Sequence, residues 1–469
     1  MHEMPVVPRS DDGFAGILDA EHLRRYRQAL RDGAARMTGR TLWHINSAAE
    51  GGGVAELLRS CLGYLRNGAI DTKWLVFQGD EAFFDITKRI HNRLHGDPGD
   101  GGPLGAVERR HLDAVAARNI AVVRGSVRPG DVAVVHDPQP IGLIRGLVEL
   151  GALVIWTCHV GTDAPNDLTR STWAFLRPSL AGVRAVTFSR SAHVWDGLEG
   201  IRVRLIPPCI DPLSLKNVEL EPDRRDAILN AAGVAEPSVR GGRPVFVRSD
   251  GAPGTVTRRA DVIEETATPA GARLVVQVSR WDRLKDPLGV LHAFTGTEGL
   301  DEAHLLLAGP MPSSVADDPE AERVLSEVRD AWDGLGAGVR DRVHLASLPT
   351  EDVEENAVIV DALQRRADVV VQKSLEEGFG LTVTEAMWKR RPVVAGRVGG
   401  IQDQIDDGTN GLLVDPRDPL AFGAAVASVL RDPRRARGLG IAARERVRNR
   451  YLPPHYLEGY LTLIEGLVG

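Results

Sequence analysis

Cysteine is scarce: Cys61, Cys158 and Cys209 are the only three in 469 residues, and they lie far apart in the chain. That spacing forms neither a metal-ligand set nor a disulfide framework, and it fits a reducing compartment, the cytoplasm. No run of about 18 apolar residues occurs, which excludes a membrane-spanning helix. Residues 1–12 lack the basic start and apolar centre of a secretion signal. There is no solenoid-type repeat and no extended low-complexity tract. Charge of one sign is not in large excess either: 57 Lys and Arg face 64 Asp and Glu, a net charge of −7, which favours neither nucleic acid nor an anionic membrane as partner. Three motifs are also missing. Without Asp-x-Asp there is no carboxylate pair to hold magnesium or manganese on a diphosphate. Without H-E-x-x-H or G-x-S-x-G, metalloprotease and hydrolase-elbow readings lose their support.

What is present is length and alternation. A chain of 469 residues exceeds one core, and two domains of about 200 residues each are expected. Short Val- and Ile-rich runs alternate with amphipathic stretches from residue 41 to about 430, the pattern of parallel sheets covered by helices. Strands are expected at 41–46, 73–77, 132–136, 153–158, 185–188 and 203–206, and again at 273–278, 303–307, 342–345, 368–372, 392–395 and 411–414. Pro207-Pro208 closes the first series, which divides the chain into domains 1–207 and 208–450. Residues 235–271, broken by Gly and Pro, read as an irregular excursion. Tyr456, Leu457, Tyr460, Leu461, Ile464 and Leu467 fall at helical spacing, so 451–469 is expected as a helix packing back on the first domain.

The segment from Glu376 to Lys389 carries the most chemistry. An apolar strand leads through Gly378 and Gly380 into a helix beginning at Leu381. Unpaired backbone N–H groups at such a start can hold a diphosphate. Glu377 precedes the turn and Glu385 lies about two helical turns on, so the two can serve different parts of one ligand. The bland alternative is an ordinary Gly-rich cap with both glutamates solvated. Residues 44–56 place Gly51, Gly52 and Gly53 between a strand and a helix, where glycine either lets backbone approach a ligand or supplies a positive-φ turn. Arg280 and Lys285 follow a strand at the edge where open α/β sheets bind ligands, and can neutralise a departing diphosphate. His159 also follows a strand; one ring nitrogen can donate to a sugar hydroxyl while a backbone carbonyl orients the other. Downstream, Asp163, Asn166, Trp173 and Arg177 can line a sugar pocket, with Trp173 equally suited to a core.

On these residues the chain resembles the retaining GT-B glycosyltransferases related to glycogen and sucrose synthases, and within them the trehalose synthase branch. The family's E-x7-E element matches Glu377 and Glu385, its Arg/Lys pair Arg280 and Lys285, its first-domain histidine His159, and its glycine loop Gly51 to Gly53. The resemblance covers residues 41–465. It implies two Rossmann-like doubly wound domains facing across a cleft, 1–207 for the acceptor and 208–450 for the nucleotide-sugar donor. It implies transfer of glucose from a nucleoside diphosphate glucose to free glucose, with no cofactor and no metal for the donor grip. The implied catalytic residues are His159, Arg280, Lys285 and Glu377. Gly52, Gly53, Gly378, Phe379, Gly380, Leu381, Thr382 and Glu385 are implied for the donor, and Asn46, Asp163, Asn166 and Trp173 are the acceptor candidates. The alternatives are a polyol or aminocyclitol acceptor, a phosphorylase, and a sugar-nucleotide binder without turnover. A homodimer is expected only from how common two-fold assemblies are.

Overall fold

The computed structural model describes residues 1–49, 52–236, 242–312 and 320–468. Glu50 and Gly51 of the glycine loop therefore lie outside the described residues. The chain forms two compact units. The first comprises Met1–Asp211, Glu377–Phe379 and Arg450–Gly469, and the second Pro212–Glu376 and Gly380–Asn449.

The first unit is built on β1 (His2–Met4), β2 (Leu42–Asn46), β3 (Thr72–Val76), β4 (Val132–His136), β5 (Leu153–Cys158), β6 (Ala185–Phe188) and β7 (Arg202–Leu205). Their order is β1-β3-β2-β4-β5-β6-β7, with β1 antiparallel and the rest parallel. The second unit holds β8 (Val245–Val247), β9 (Pro253–Thr255), β10 (Asp261–Ile263), β11 (Arg273–Val278), β12 (Ala303–Pro310), β13 (Val343–Leu348), β14 (Val369–Gln372), β15 (Val393–Gly396) and β16 (Leu412–Val414). Its main sheet runs β10-β13-β12-β11-β14-β15-β16, parallel except for β10. Both are Rossmann-like doubly wound sheets.

All twelve expected strands are present. They were legible because strands covered on both faces read as near-continuous apolar runs, and β4 and β14 are buried from end to end. Strands β12 and β13 run three residues past their expected ends, because Ala308, Gly309 and Pro310 keep pairing with Ala346, Ser347 and Leu348. The excursion is not wholly irregular: β8 and β9 form a hairpin, and β10 adds an antiparallel edge to the second sheet.

In each sheet the strand order reverses once, between β2 and β4 in the first and between β11 and β14 in the second. Loops leaving the C-terminal ends of the two strands at such a reversal diverge and open a crevice, the usual ligand position in open α/β folds. Polar residues gather at those ends. Asn46, His136 and Gln372 are the last residues of β2, β4 and β14, Gln277 is the last but one of β11, and all four are buried.

Helix Pro453–Val468 packs on Ala20–Arg36, where Gly33 leaves room for Leu461. Its Tyr460 hydroxyl meets that of Thr157 on β5 at 2.7 Å. Cys61 and Cys209, 148 residues apart, lie with their sulfurs 3.6 Å from each other and unbonded. Sequence spacing gave no sign of that contact.

In the second unit, residues 217–219 are tied down by a buried ionic cluster. Arg365 donates to both Asp361 oxygens at 3.1 and 3.0 Å, to Glu219 at 3.1 Å, and to the carbonyls of Asn217 and Val218. Lys389 donates to Asn217 and Gln364 and sits 3.5 Å from Asp361. Burial pushes Lys389 down to about 8 and raises the Asp361 carboxyl. Such a cluster tolerates loss of a member poorly: without Arg365 the buried Asp361 keeps only Lys389, and the carbonyls of Asn217 and Val218 lose their donor. Arg365→Ala is expected to destabilise the second unit by about 3–5 kcal/mol, measured as a lowered midpoint in denaturant unfolding; an unchanged midpoint would show that the cluster contributes nothing.

Candidate functional site

At the reversal in the second sheet, the loop after β11 carries Arg280 and Lys285, and the loop after β14 leads to Glu377. Hydrogen bonds join these loops. Leu375 N–H donates to the Leu284 carbonyl at 2.8 Å, and the Gln277 carboxamide donates to the Lys285 carbonyl and accepts from Lys373 N–H. Arg280 is held by Asp282 at 3.1 Å, and Asp282 also accepts Leu284 N–H. Asp286, directly after Lys285, has φ of 49°, in the left-handed region. It keeps that strained form because its carboxylate caps Gly289 N–H and pairs with Lys373. The backbone that carries both cations is thus fixed at the sheet edge, and Arg280 is further held through its side chain. Lys373 and Asp286 escaped the sequence reading, although Lys373 follows an apolar strand just as Arg280 does.

Helix Leu381–Trp388 opens at Gly380, whose φ of 87° is suited to glycine. The first N–H groups of the helix have no intrahelical acceptor. Gly378 is glycine for another reason: it groups with the first unit, where a Cβ on it would lie 2.2 Å from the His159 carbonyl oxygen. Phe379, also of the first unit, meets Tyr451 edge-on at 5.5 Å. Thr382 donates from its hydroxyl to Gln372 at the end of β14. Glu385 is not the solvated residue of the bland alternative. It is 1% exposed, with one carboxylate oxygen 3.3 Å from Lys216 Nζ.

The reversal in the first sheet lies between β2 and β4, with β5 next to β4. Three histidines stand in a row there: His44 on β2, His136 ending β4, and His159 just after β5. His44 Nδ1 is 3.0 Å from His136 Nε2, and His136 Nδ1 is 3.4 Å from His159 Nε2. The expectation that a backbone carbonyl orients His159 is therefore corrected; the ring of His136 occupies that position. Burial depresses all three, His44 to about 3 and His136 well below the usual range, with His159 partly offset by Asp137. Asp137 has φ of 66°. Its strain is offset by three bonds: its N–H donates to the Thr157 carbonyl, its own carbonyl accepts from Trp156 Nε1, and its carboxylate accepts His159 N–H at 2.8 Å. Burial raises the Asp137 carboxyl. The strand-end rule that singled out His159 applies equally to His136 and Asp137.

The other candidates fare unequally. Gly52 has φ of −132°, so no positive-φ turn demands it, and a Cβ there would meet nothing within 4 Å. Gly53 begins helix Gly53–Asn67. The Asn46 carboxamide accepts from Trp74 Nε1 and donates to the Ala48 carbonyl, which shapes the loop itself. Asn166 caps helix Asp167–Leu176 and donates to the Gly96 carbonyl. Trp173 lies in the core beside Trp195. Asp163 keeps a partly exposed carboxylate, 3.0 Å from Arg190 and 3.5 Å from His193. Of the four acceptor candidates, three have structural work that accounts for them. Among the described residues, no helix is long and apolar enough to cross a membrane.

Comparison with known proteins agrees with this layout. The family model for the trehalose synthase N-terminal domain matches residues 44–195, and that for glycosyl transferases group 1 matches residues 259–446. A trehalose synthase of Rubrobacter xylanophilus is 35% identical over 99% of this chain and 100% of its own, and one of Pyrococcus horikoshii is 32% identical over 98% and 97%. Among solved structures, a UDP-forming α,α-trehalose-phosphate synthase from Burkholderia xenovorans superposes with a TM-score of 0.66 over 92% of this chain and 99% of its own, at 15% identity. The fold is that of the GT-B glycosyltransferases, and full-length identity at this level makes the chain a member of the trehalose synthase family of glycosyltransferases.

Proposed function

We propose that this protein moves glucose from a nucleoside diphosphate glucose to free glucose, with retention at the donor carbon, to make α,α-1,1-linked trehalose. The observation that carries the reading is the reversal point of the second sheet, where the loops bearing Arg280 and Lys285 and the approach to Leu381–Trp388 are bonded together. In this reading Arg280 and Lys285 take the charge of the leaving diphosphate, with the N–H groups of Gly380, Leu381 and Thr382 beside them. Glu377 contacts the hydroxyls of the donor sugar, and Glu385 serves the ribose side. His159 donates to the donor hydroxymethyl group, and Gly52 leaves space for ligand. Fixed cations make a divalent metal unnecessary for the grip. The three unbonded cysteines suit a cytoplasmic setting.

The bond from the sugar C1 to phosphate breaks with its electron pair passing to the phosphate. The acceptor hydroxyl bonds to C1 from the same face and gives its proton to the departing phosphate oxygen. The two-carboxylate scheme of glycosidases needs paired acids flanking one bond. Glu385, buried and ion-paired to Lys216, is unsuited to that role.

Proton NMR of the protein with glucose and, in parallel, ADP-, UDP- and GDP-glucose is expected to reveal one symmetric α,α anomeric signal. Donor lost only by slow hydrolysis, or product formed only from glucose 1-phosphate, would reject the assignment. Lys285→Ala is expected to lower kcat by about 100-fold or more, and near-normal turnover would remove Lys285 from the diphosphate. Gly378→Ala forces a methyl group onto the His159 carbonyl, and a displacement of about 1 Å at that loop predicts a loss on the order of 100-fold in kcat/KM in the same assay. A variant as active as the parent would mean that the loop is free to move.

A further inference from the structure

The row of imidazoles behind His159 has a direction. His44 and His136 are 3% and 0% exposed, and their ring planes differ by 23°, while those of His136 and His159 differ by 2°. Centroids 5.3 and 5.7 Å apart, with nitrogens facing, describe rings meeting edge to edge in single file. Burial keeps the rings neutral, so each carries one N–H and one bare nitrogen. In a single file of neutral rings, each contact needs one donor and one acceptor, which leaves two arrangements with every contact satisfied.

In one arrangement the N–H groups point from His159 back towards His44, and the last proton falls on His44 Nε2. That atom is buried and has no hydrogen-bond partner among the described residues. An orphaned buried N–H is among the rarest features of native structures. In the other arrangement His44 Nδ1–H donates to His136 Nε2, and His136 Nδ1–H donates to His159 Nε2. His44 then buries only a bare nitrogen, and His159 carries its proton on Nδ1. Among the described residues, Asp137 is the carboxylate that acts on this row; it accepts the His159 backbone N–H and favours positive charge on the His159 side.

We propose that His136 and, behind it, His44 are positioning residues that polarise this row, fixing His159 as a neutral Nδ1–H donor towards the sugar. A neutral donor suits a hydroxyl oxygen, and its tautomer is set before ligand arrives, in the way that outer partners fix metal-bound histidines. The catalytic part of this inference rests on the placement of His159 at the donor sugar; the tautomer part does not.

The test is a long-range 1H–15N spectrum of histidine-labelled, unliganded, full-length protein, assigned through His44→Phe, His136→Phe and His159→Asn, together with transfer kinetics. The expected result is an Nδ1–H tautomer at His159 in the parent, redistributing towards Nε2–H in His136→Phe. Turnover in that variant should fall by about 10- to 100-fold, as for outer partners of ligating histidines, with donor KM changed much less. A parent His159 protonated on Nε2 overturns the proposal by itself and needs no variant to fold. A tautomer that shifts in His136→Phe without loss of kcat overturns the positioning role. Should the parent form no disaccharide, the functional reading fails instead, while the spectrum still decides the polarity of the row.

Discussion

The handedness of the strand-helix-strand crossover is the constraint on which the rest of this molecule depends. A right-handed connection between parallel strands is almost obligatory, so a sheet covered by helices on both faces must be wound outward in two directions from a central strand. In the first unit the reversal falls between β2 and β4, and in the second between β11 and β14. Loops leaving those strands cannot cover one another. His136 and Asp137 sit at the first of these gaps, and Arg280, Lys285 and Lys373 lie in the loops beside the second. Topology therefore selects the places, and local chemistry selects what fills them.

What fills them is held by bonds made to the backbone. In the second unit Gln277 and Asp282 secure the loop that bears the two cations, and the Lys373 ion pair with Asp286 retains a left-handed aspartate. In the first unit Asp137 is kept in a left-handed conformation by bonds to its own N–H, carbonyl and carboxylate. Strain at a strand end persists only when the surroundings over-determine it. Both loops meet that condition.

The sequence was informative where one physical cause acts locally. Buried parallel strands announce themselves as apolar runs, and Gly380 announces a left-handed helix entry. Arg280, Lys285 and His159 were singled out as candidates because each lies in the loop after such a run. Partnerships across sequence were hidden: the His44–His136–His159 row, the Lys216–Glu385 pair and the Arg365 cluster join residues that nothing in their spacing connects. Polar type alone does not decide a role downstream of His159, since the same Asn that can bind a hydroxyl can cap a helix, and the same Trp that can stack on a sugar can fill a core. Asn166 and Trp173 do the latter in each case. The edge strand β10 and the β8–β9 hairpin went unread because they are exposed at one or more positions and lack the continuous burial that made the equally short β16 legible.

The contact between Cys61 and Cys209 makes this protein its own gauge of breathing. Both thiols are buried, and burial raises the Cys209 thiol well above its ordinary range. A thiol in that state does not react until the surface above it parts. The rate at which a small alkylating reagent consumes the pair therefore counts openings of helix Gly53–Asn67 against the segment that carries Cys209, in a molecule with no probe introduced. The two sulfurs are neighbours once the surface closes again, so an oxidant admitted by an opening would record the same event as a cross-link.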